Sequence, residues 1–457
     1  MPCLLAPSAL LPSGWARNVR IDILEDGTIG RVTPDAEPQG DRMERLAGPV
    51  VPGMPNVHSH AFQRAMAGLA EKRRDPADSF WTWRERMYRA AHTVGPDDLS
   101  AIADYLFIEM LKSGYTTVGE FHYLHNDTDG TPYADPAEMS ARLVRAAADT
   151  GIGLTMLPVL YMRAGFDGAP LETAQRRFAT DEERLLKILE SLRWHGRDSA
   201  NLRVGIAPHS LRAVSVDVLR HIASALPEDT TIHIHVAEQM REVEDCIAAT
   251  GARPVELLMA EAPVGASWCL IHATHVLHDE LADIAASGAV AGLCPITEGN
   301  LGDGVFPLPE FLTVGGRYGI GSDSNVTLNP WEELRLLEYG QRLTHGRRCM
   351  SLPEDASGSI GGAMYRAALT GGAAALGQPV GVIAEGFRAD LAVLDRNRLS
   401  QPDAEEDDIL DTAIFTGASL PVRDVMVGGI WRVREGYHPQ EQAARAAFAA
   451  TLRKIAA

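Results

Sequence analysis

The chain has 457 residues, of which 46% are hydrophobic and 23% charged, and its formal net charge is −19 at pH 7. These proportions are typical of a folded globular protein, and the length favours one large domain with a smaller companion. The acidic excess argues against a general nucleic-acid binder, because such proteins neutralise phosphates with Lys and Arg. A pocket for an anionic substrate would have to supply local positive charge against this background.

Cysteine usage and the N-terminal segment bear on the cellular compartment. The five cysteines are scattered, and none forms a Cys-x-x-Cys pair. This argues against a disulfide framework and against a zinc site built from cysteines. Residues 1–12 are apolar but broken by prolines and lack a basic start, so they do not resemble a signal peptide. No segment reaches the roughly 18 to 20 apolar residues that a membrane helix needs, and we expect a cytoplasmic protein without membrane contact.

Short strand-like segments occur near both ends of the chain and are joined by Gly, Asp and Pro turns. They cover residues 19–24, 27–32, 389–394 and 422–433. We predict that residues 1–50 and 385–437 together form a small β-sandwich domain. The alternation of apolar and charged residues after it predicts a C-terminal helix within residues 438–457.

Between these ends, apolar segments alternate with amphipathic ones. Strand candidates end near residue 60 and cover 116–123, 153–161, 202–208, 231–236, 267–273, 289–294 and 318–322. Helix candidates cover 96–113, 136–150, 181–194, 215–226 and 278–286. Strands that alternate with helices indicate an α/β protein with a parallel sheet, and eight such units predict a (β/α)8 TIM-type barrel over residues 51–384. In such a barrel the active site lies at the carboxyl ends of the strands.

Histidines and a carboxylate fall at three of these strand ends. His58 and His60 are two positions apart, so in a strand their side chains point to the same side. His235 ends the fifth strand, and Asp323 follows the eighth. Any one of them has an ordinary structural explanation, such as a turn position for Asp323. Together the four residues fit one zinc ion, which prefers a tetrahedral set of such ligands, although iron or manganese could occupy similar ligands.

Two more polar residues lie at strand ends beside this predicted metal site. Glu238 is three residues beyond His235, and His272 ends the sixth strand. A metal-bound water has its pKa lowered toward about 7, and Glu238 could carry its proton to a leaving nitrogen. His272 and Asp323 could orient that water. We therefore predict Glu238, His272 and Asp323 as catalytic residues.

These motifs resemble the amidohydrolase superfamily. The resemblance rests on Pro-Gly-x-x-Asn-x-His-x-His at residues 52–60, His-x-x-Glu after strand five, His after strand six, Asp after strand eight, and a β-domain split between the chain ends. Superfamily members with two metals usually carry a carboxylated Lys after strand four, and residues 207–212 contain no Lys. This is similar to the single-metal deaminase branch, which replaces an amine or imine nitrogen by oxygen and releases ammonia. The resemblance implies one zinc ion per subunit and a homodimer.

Within that branch, several segments resemble the formimidoylglutamate deiminase family. They are residues 58–68, 120–125, 207–212, 294–304 and 321–325. One departure lies at residues 296–300, where the family pattern leads us to expect a second Thr and an Ala. The resemblance implies hydrolytic deimination of N-formimino-L-glutamate to N-formyl-L-glutamate and ammonia, a step of histidine degradation.

This substrate has two carboxylates and a cationic formimino group, so its site needs cations at one end and a metal at the other. Arg212 follows strand four and Arg84 lies in the long first loop, and Arg can hold a carboxylate with two parallel hydrogen bonds. Gln63 and Tyr123 could complete the carboxylate contacts, and His209 could contact the formimino end. Without the resemblance, a solvated helix face would be an equal explanation for Arg84.

Two other functional interpretations stay open at this level. The same metal site could act on guanine, cytosine or an N-substituted amino acid. A noncatalytic barrel that serves in assembly is the second interpretation, but such relatives tend to lose metal ligands, and here all four candidate ligands and Glu238 are present.

Overall fold

The computed structural model describes residues 3–37, 43–69, 71, 80–196, 199–353, 356–417 and 420–456. The chain begins with the strands β1 (Cys3–Leu11), β2 (Gly14–Ile23), β3 (Ile29–Thr33), β4 (Met43–Arg45) and β5 (Val50–Pro52). The next strands are β6 (Met54–Ser59), β7 (Tyr115–His122), β8 (Gly153–Leu160), β9 (Leu202–Val204), β10 (Ala207–Pro208), β11 (Ile232–Val236), β12 (Trp268–His272), β13 (Val290–Leu293) and β14 (Arg317–Ile320). The last three are β15 (Leu391–Leu394), β16 (Val422–Val427) and β17 (Ile430–Val433).

Helices follow or connect most of these strands. They are α1 (Phe80–Ala91), α2 (Pro96–Ser113), α3 (Glu138–Thr150), α4 (Glu182–Gly196), α5 (Val216–Ala225), α6 (Met240–Thr250), α7 (Pro254–Glu261), α8 (His278–Ser287), α9 (Pro295–Leu301), α10 (Leu308–Thr313), α11 (Pro330–His345), α12 (Ile360–Leu376), α13 (Asp407–Phe415) and α14 (Glu441–Ala456). Short 3-10 helices lie at Ala61–Met66, Thr173–Phe178 and Arg396–Arg398. Among the described residues, no helix has the length and apolar character needed to cross a membrane.

The middle strands form the predicted parallel barrel. Strands β6, β7, β8 and β10 are neighbours in that order, β9 also pairs with β8, and β11 to β14 follow one another. Parallel bridges from Ile206 to Ile232 and from Ser59 to Asp323 join the two groups of strands at both edges. Every residue of β7 and β8 is buried, as expected for strands covered on both faces. The fourth predicted strand is present in two pieces, β9 and β10.

Strands from both ends of the chain share a second sheet. Its order is β17, β16, β15, β5, β1, β2 and β3, and β4 also pairs with β1. The apolar N-terminal segment, to which no strand was assigned from the sequence, forms β1 near the centre of this sheet. Side chains from several strands of the sheet pack in a small core of their own, which includes Leu4, Ile21, Val50 and Leu391.

A buried ion pair links this sheet to the barrel. The guanidinium of Arg388 donates to both carboxylate oxygens of Asp390, at 2.9 and 2.7 Å, and also bonds Gln378 and Thr117 of β7. The backbone N–H of Gly53, between β5 and β6, donates to the carbonyl of Asp390 at 3.0 Å. The start of β6, the strand that carries the predicted metal ligand His58, is therefore held to the second sheet by this hydrogen bond.

Local sequence signals explain the boundaries of several helices. Helix α2 begins with Pro96 at its first position, and the carboxylate of Asp98 accepts a hydrogen bond from the N–H of Gly95 at 3.0 Å. It ends at Gly114, whose φ of 103° lies in the left-handed region that favours glycine. The predicted span of residues 96–113 is therefore confirmed.

Replacing Gly371 by Ala tests the packing of α12 against the barrel. A Cβ atom on Gly371 would collide with the backbone carbonyl of Tyr318 in β14. We expect the variant to lose about 1–3 kcal/mol of stability, the usual cost of overpacking, and to melt several degrees lower. The matched control is Gly265→Ala, because a Cβ there has no atom within 4 Å. Equal melting temperatures for the two variants would contradict the packing.

Candidate metal centre and active site

The candidate metal ligands meet where the first and last strands of the barrel close. His58 lies in β6 and His60 directly follows it, while Asp323 lies three residues after β14. The N–H of Asp323 donates to the carbonyl of His58 and the N–H of His60 donates to the carbonyl of Asp323, each at 2.9 Å. His235 comes from β11 on the other side of the barrel. All four side chains are buried. The ligand atoms of His58, His60 and His235 form one group able to hold a metal, and Asp323 lies beside His58 and His60.

A network of amide and hydroxyl groups fixes this closure and explains two of the sequence motifs. Asn325 donates from Nδ2 to the carbonyl of His60 at 3.0 Å and to Ser59 Oγ at 3.2 Å. Ser322 Oγ donates to Asn325 Oδ1 at 2.6 Å and accepts from Asn56 Nδ2 at 2.7 Å. Asn56 belongs to the motif at residues 52–60, and Asn325 is the last residue of the segment 321–325. These two residues thus hold the two ligand-bearing loops together.

A hydrogen bond behind His60 shows which ring nitrogen faces the centre. Its Nδ1 lies 2.7 Å from the carbonyl oxygen of Phe121, which can only accept, so Nδ1 carries the proton. In neutral His60, Nε2 is then unprotonated and carries a lone pair, and it lies 3.2 Å from the Nε2 of His58. His58 Nε2 is also 3.1 Å from the Nε2 of His235, and one proton can satisfy only one of these contacts. Converging imidazole nitrogens of this kind fit a metal ion.

Asp323 completes the donor set. Its Oδ1 lies 3.3 Å from His60 Nε2 and 3.5 Å from His58 Nε2. Desolvation lowers the pKa of His58 to about 3, and the charge of His60 adds to this effect. Burial opposes ionisation of Asp323, but the hydrogen bond to His58 and the neighbouring imidazoles hold its pKa well below the ordinary value. Neutral imidazoles and an ionised carboxylate are the forms that bind a metal.

Two of the ligand-bearing and catalytic positions have unusual backbone geometry. His272 has φ = 69° and Asp323 has φ = 45°, which is the left-handed region that costs a non-glycine residue energy. Strain of this kind persists only where surrounding contacts impose it, and it clusters at functional sites. The barrel therefore brings the side chains of His272 and Asp323 within 3.8 Å of each other, at the conformational cost of these two backbone positions.

Glu238 and His272 lie beside the metal-facing carboxylate. His272 Nε2 is 3.6 Å from Glu238 Oε1 and 3.8 Å from Asp323 Oδ2. Burial raises the pKa of Glu238 above its ordinary value, although His272 and Arg212 act in the opposite direction. Burial disfavours charge on His272, but the carboxylates of Glu238 and Glu298 outweigh it and raise its pKa. A proton-accepting carboxyl group and a hydrogen-bond donor thus face the same space.

Glu298 is a site residue to which the sequence analysis gave no role. Its Oε1 lies 3.2 Å from His272 Nδ1 and accepts a hydrogen bond from the N–H of Cys294 at 2.8 Å. This contact leaves His272 Nε2 as the atom that faces Glu238 and Asp323. A signal was present, because a Glu in the first turn of a helix that starts with Pro295 is expected to bond the exposed N–H groups there. Its histidine partner, 26 residues earlier, could not be read from that signal.

One pocket opens onto the candidate metal centre. All of the sequence-predicted site residues except His58 line it, namely His60, Gln63, Arg84, Tyr123, His209, Arg212, His235, Glu238, His272 and Asp323. His58 lies fully buried beneath it. Arg84 belongs to α1 and faces this pocket, rather than lying on a purely solvated helix face.

The predicted substrate residues contact one another along the pocket wall. Gln63 Nε2 donates to the hydroxyl of Tyr123 at 2.8 Å, and Tyr123 packs edge-on against His60. His209 packs edge-on against Tyr161, with ring centroids 4.7 Å apart. Burial and then the charge of Arg212 keep the pKa of His209 well below its ordinary value, so its ring is neutral.

Comparison with known proteins identifies the family. Residues 50–432 match the model of the amidohydrolase family. The chain belongs to the amidohydrolase family. Residues 1–45 match a second model, described as the N-terminal domain of the formimidoylglutamate deiminase HutF.

Individual proteins resemble the chain over its full length. It is 52% identical over 455 residues to the formimidoylglutamate deiminase of Pseudomonas aeruginosa, with 100% of both chains covered. A solved amidohydrolase from Brucella melitensis is 47% identical and superimposes with a TM-score of 0.95 over 100% of both chains. A zinc-bound adenosine deaminase from Xanthomonas campestris is 19% identical, with a TM-score of 0.82 over 99% of this chain and 98% of that one. This last likeness shows the fold alone, and together the comparisons confirm the predicted fold class.

Replacing His235 by Ala tests the metal site. We expect the purified variant to lose its metal after dialysis, because only three of the four donors remain. The control is His233→Ala on the same strand, since His233 is also buried but its Nε2 bonds the carbonyl of Ala375 at 2.7 Å. Metal content per chain, measured by plasma emission spectrometry, should fall only in the first variant. Equal metal content in both would refute the ligand assignment.

Proposed function

We propose that the protein catalyses the zinc-dependent hydrolysis of N-formimino-L-glutamate to N-formyl-L-glutamate and ammonia, a step of histidine degradation. The observation that carries this is one pocket that has the three-histidine group of His58, His60 and His235, with Asp323 beside it, and two arginines, Arg84 and Arg212, in its wall. The full-length identity to a formimidoylglutamate deiminase supports the same reaction.

In the overall reaction, water adds to the formimino carbon and the terminal nitrogen leaves as ammonia, so the product keeps a formyl group on the glutamate nitrogen. His58, His60, His235 and Asp323 would hold the zinc ion. When bound, zinc supplies a water molecule acidic enough to react at neutral pH.

Glu238 is placed to move the protons of this reaction. Its carboxyl group faces the pocket, and its raised pKa makes it able both to accept a proton from water and to release it to the leaving nitrogen. His272 Nε2 faces the same space, while its Nδ1 is held by Glu298, so the ring can hydrogen-bond the oxygen that is added. Asp323 lies within 3.8 Å of His272 and would orient the attacking water together with it.

The pocket wall beside the candidate metal centre suits the two carboxylates of the substrate. Arg84 and Arg212 provide planar guanidinium groups that can bind carboxylates bidentately. The amide of Gln63 and the hydroxyl of Tyr123 add neutral hydrogen-bonding groups. His209 packs against Tyr123 and His235, with ring centroids 5.9 and 4.9 Å apart, and would contact the formimino end.

A nucleobase substrate is less well matched to this pocket. A neutral purine or pyrimidine has no carboxylate group for the guanidinium groups of Arg84 and Arg212 to bind. The noncatalytic interpretation is disfavoured because His58, His60 and His235 form one group able to hold a metal, with Asp323 beside it.

We also propose the remaining features that the family resemblance implies. The chain would work as a homodimer with one zinc ion per subunit, in the cytoplasm and without a nucleic-acid partner. All five cysteines are free, which suits a reducing compartment. Strands β1 to β5 and β15 to β17 share one sheet, which supports the division into a small β-domain at residues 1–50 and 385–437, a barrel at 51–384 and a C-terminal helix at 438–457.

The reaction can be tested with zinc-loaded protein and N-formimino-L-glutamate. We expect ammonia release coupled one to one to N-formyl-L-glutamate, identified by mass, and no ammonia from guanine or cytosine. Protein treated with a chelator is the control and should regain turnover when zinc is restored. Ammonia from a nucleobase, or none from the formimino substrate with metal-loaded protein, would overturn the proposed function.

Replacing Glu238 by Gln tests the proton-transfer role. The amide keeps the size of the side chain but cannot accept the proton, so we expect kcat to fall about 10²- to 10⁴-fold. Metal content should stay at the wild-type value because Glu238 is outside the proposed ligand set. Nearly full turnover with bound zinc would refute this role.

A further inference from the structure

Glu242 is a buried carboxylate close to the active site that takes no part in the proposed chemistry. It is the third residue of α6, the helix that begins directly after Glu238 and Gln239. Only 1% of its surface is exposed. Its Oε2 accepts a hydrogen bond from the backbone N–H of Glu238 at 3.2 Å. One oxygen of Glu242 therefore anchors the backbone of the proposed proton carrier.

The other oxygen of Glu242 faces the guanidinium of Arg212. Glu242 Oε1 lies 4.0 Å from Arg212 Nε, and both side chains are largely enclosed, with 1% and 14% of their surfaces exposed. Within the described part of the chain, neither of these two buried atoms has a hydrogen-bond partner. A buried N–H and a buried carboxylate oxygen gain most from each other, because water cannot replace either partner.

We propose that Glu242 is a positioning residue that holds Arg212 by its Nε edge, so that the two terminal nitrogens of the guanidinium stay available for a substrate carboxylate. This inference rests on the proposed function, which places a substrate carboxylate at Arg212. Since the guanidinium is planar and its five N–H donors have fixed directions, fixing the Nε edge fixes the direction of the fork.

A second carboxylate makes this positioning necessary. Glu238 also acts on the charge of Arg212, after Glu242 in strength. Without the charge of Glu242, Arg212 would turn toward Glu238, which would withdraw the guanidinium from the substrate and occupy the proton carrier. Glu242 thus keeps the binding group and the proton-transfer group apart.

The test compares Glu242→Gln with Glu244→Gln in zinc-loaded protein. The amide oxygen of Glu242→Gln can still accept the hydrogen bond from the N–H of Glu238, while its NH2 group replaces the oxygen toward Arg212, so both the charge and the acceptor at that position are removed. We expect KM for N-formimino-L-glutamate to rise about tenfold, as is usual for coupled neighbours, and kcat to fall less than KM rises. Glu244 lies on the same helix but is exposed, so its variant should match the wild type. Metal content and melting temperature check that both variants are folded.

A double-mutant cycle with Arg212→Met separates positioning from a general structural effect. Arg212→Met alone should raise KM roughly a hundredfold, and adding Glu242→Gln to it should change KM by less than about twofold. A KM that is unchanged or lower in Glu242→Gln, or effects of the two substitutions that simply multiply, would overturn the positioning role. An unchanged KM in Arg212→Met would remove the substrate contact and the positioning role together, while turnover of N-formimino-L-glutamate by the wild type would leave the proposed reaction standing.

Discussion

The site depends on the closure of the barrel between its first and last strands. The backbone hydrogen bonds between Asp323 and the residues His58 and His60 bring the ends of β6 and β14 together. They place three of the four candidate ligands within a few ångströms before any metal binds. Such preorganisation reduces the conformational entropy lost on metal binding, because the ligands are already ordered in the folded chain. The amide network of Asn56 and Asn325 has the same effect, since it holds both ligand loops from behind.

A second constraint is the separation of charge within one pocket. The protein carries a net charge of −19, yet two arginines face a pocket whose base is surrounded by carboxylates. This arrangement suits a substrate with two carboxylates at one end and a cationic group at the other. It also requires that the arginines stay apart from the carboxylates that act in the chemistry. Helices that begin just after a strand supply carboxylates beside site residues: Glu242 in α6 faces Arg212, and Glu298 in α9 contacts His272.

The sequence predicts the parts of this structure that depend on short-range patterns. Apolar segments ending in polar residues located the barrel strands to within a few residues, and Pro96 and Gly114 marked both ends of α2. The four candidate ligands were found because each ends or follows such a strand. Contacts between distant residues could not be found in this way, and the bond between Glu298 and His272 is the clearest case.

Other parts were missed because their local signals are weak or ambiguous. The N-terminal segment is apolar without strict alternation, and its role as β1 depends on pairing with strands from elsewhere in the chain. Arg84 fitted a solvated helix and a pocket wall equally well, and only the packing of α1 over the barrel places it at the pocket. Helices α11 and α12 were not predicted, although they follow the last strand of the barrel.

The most direct test of the account is a crystal structure of zinc-loaded protein with N-formyl-L-glutamate, recorded at the zinc absorption edge. We expect one anomalous peak per chain, between the Nε2 atoms of His58, His60 and His235 and the carboxylate of Asp323. The formyl group should point to that peak and the carboxylates to Arg84 and Arg212. A peak at another group able to hold a metal, such as His272, Cys294 and Glu298, or a product bound in the reverse direction, would contradict it.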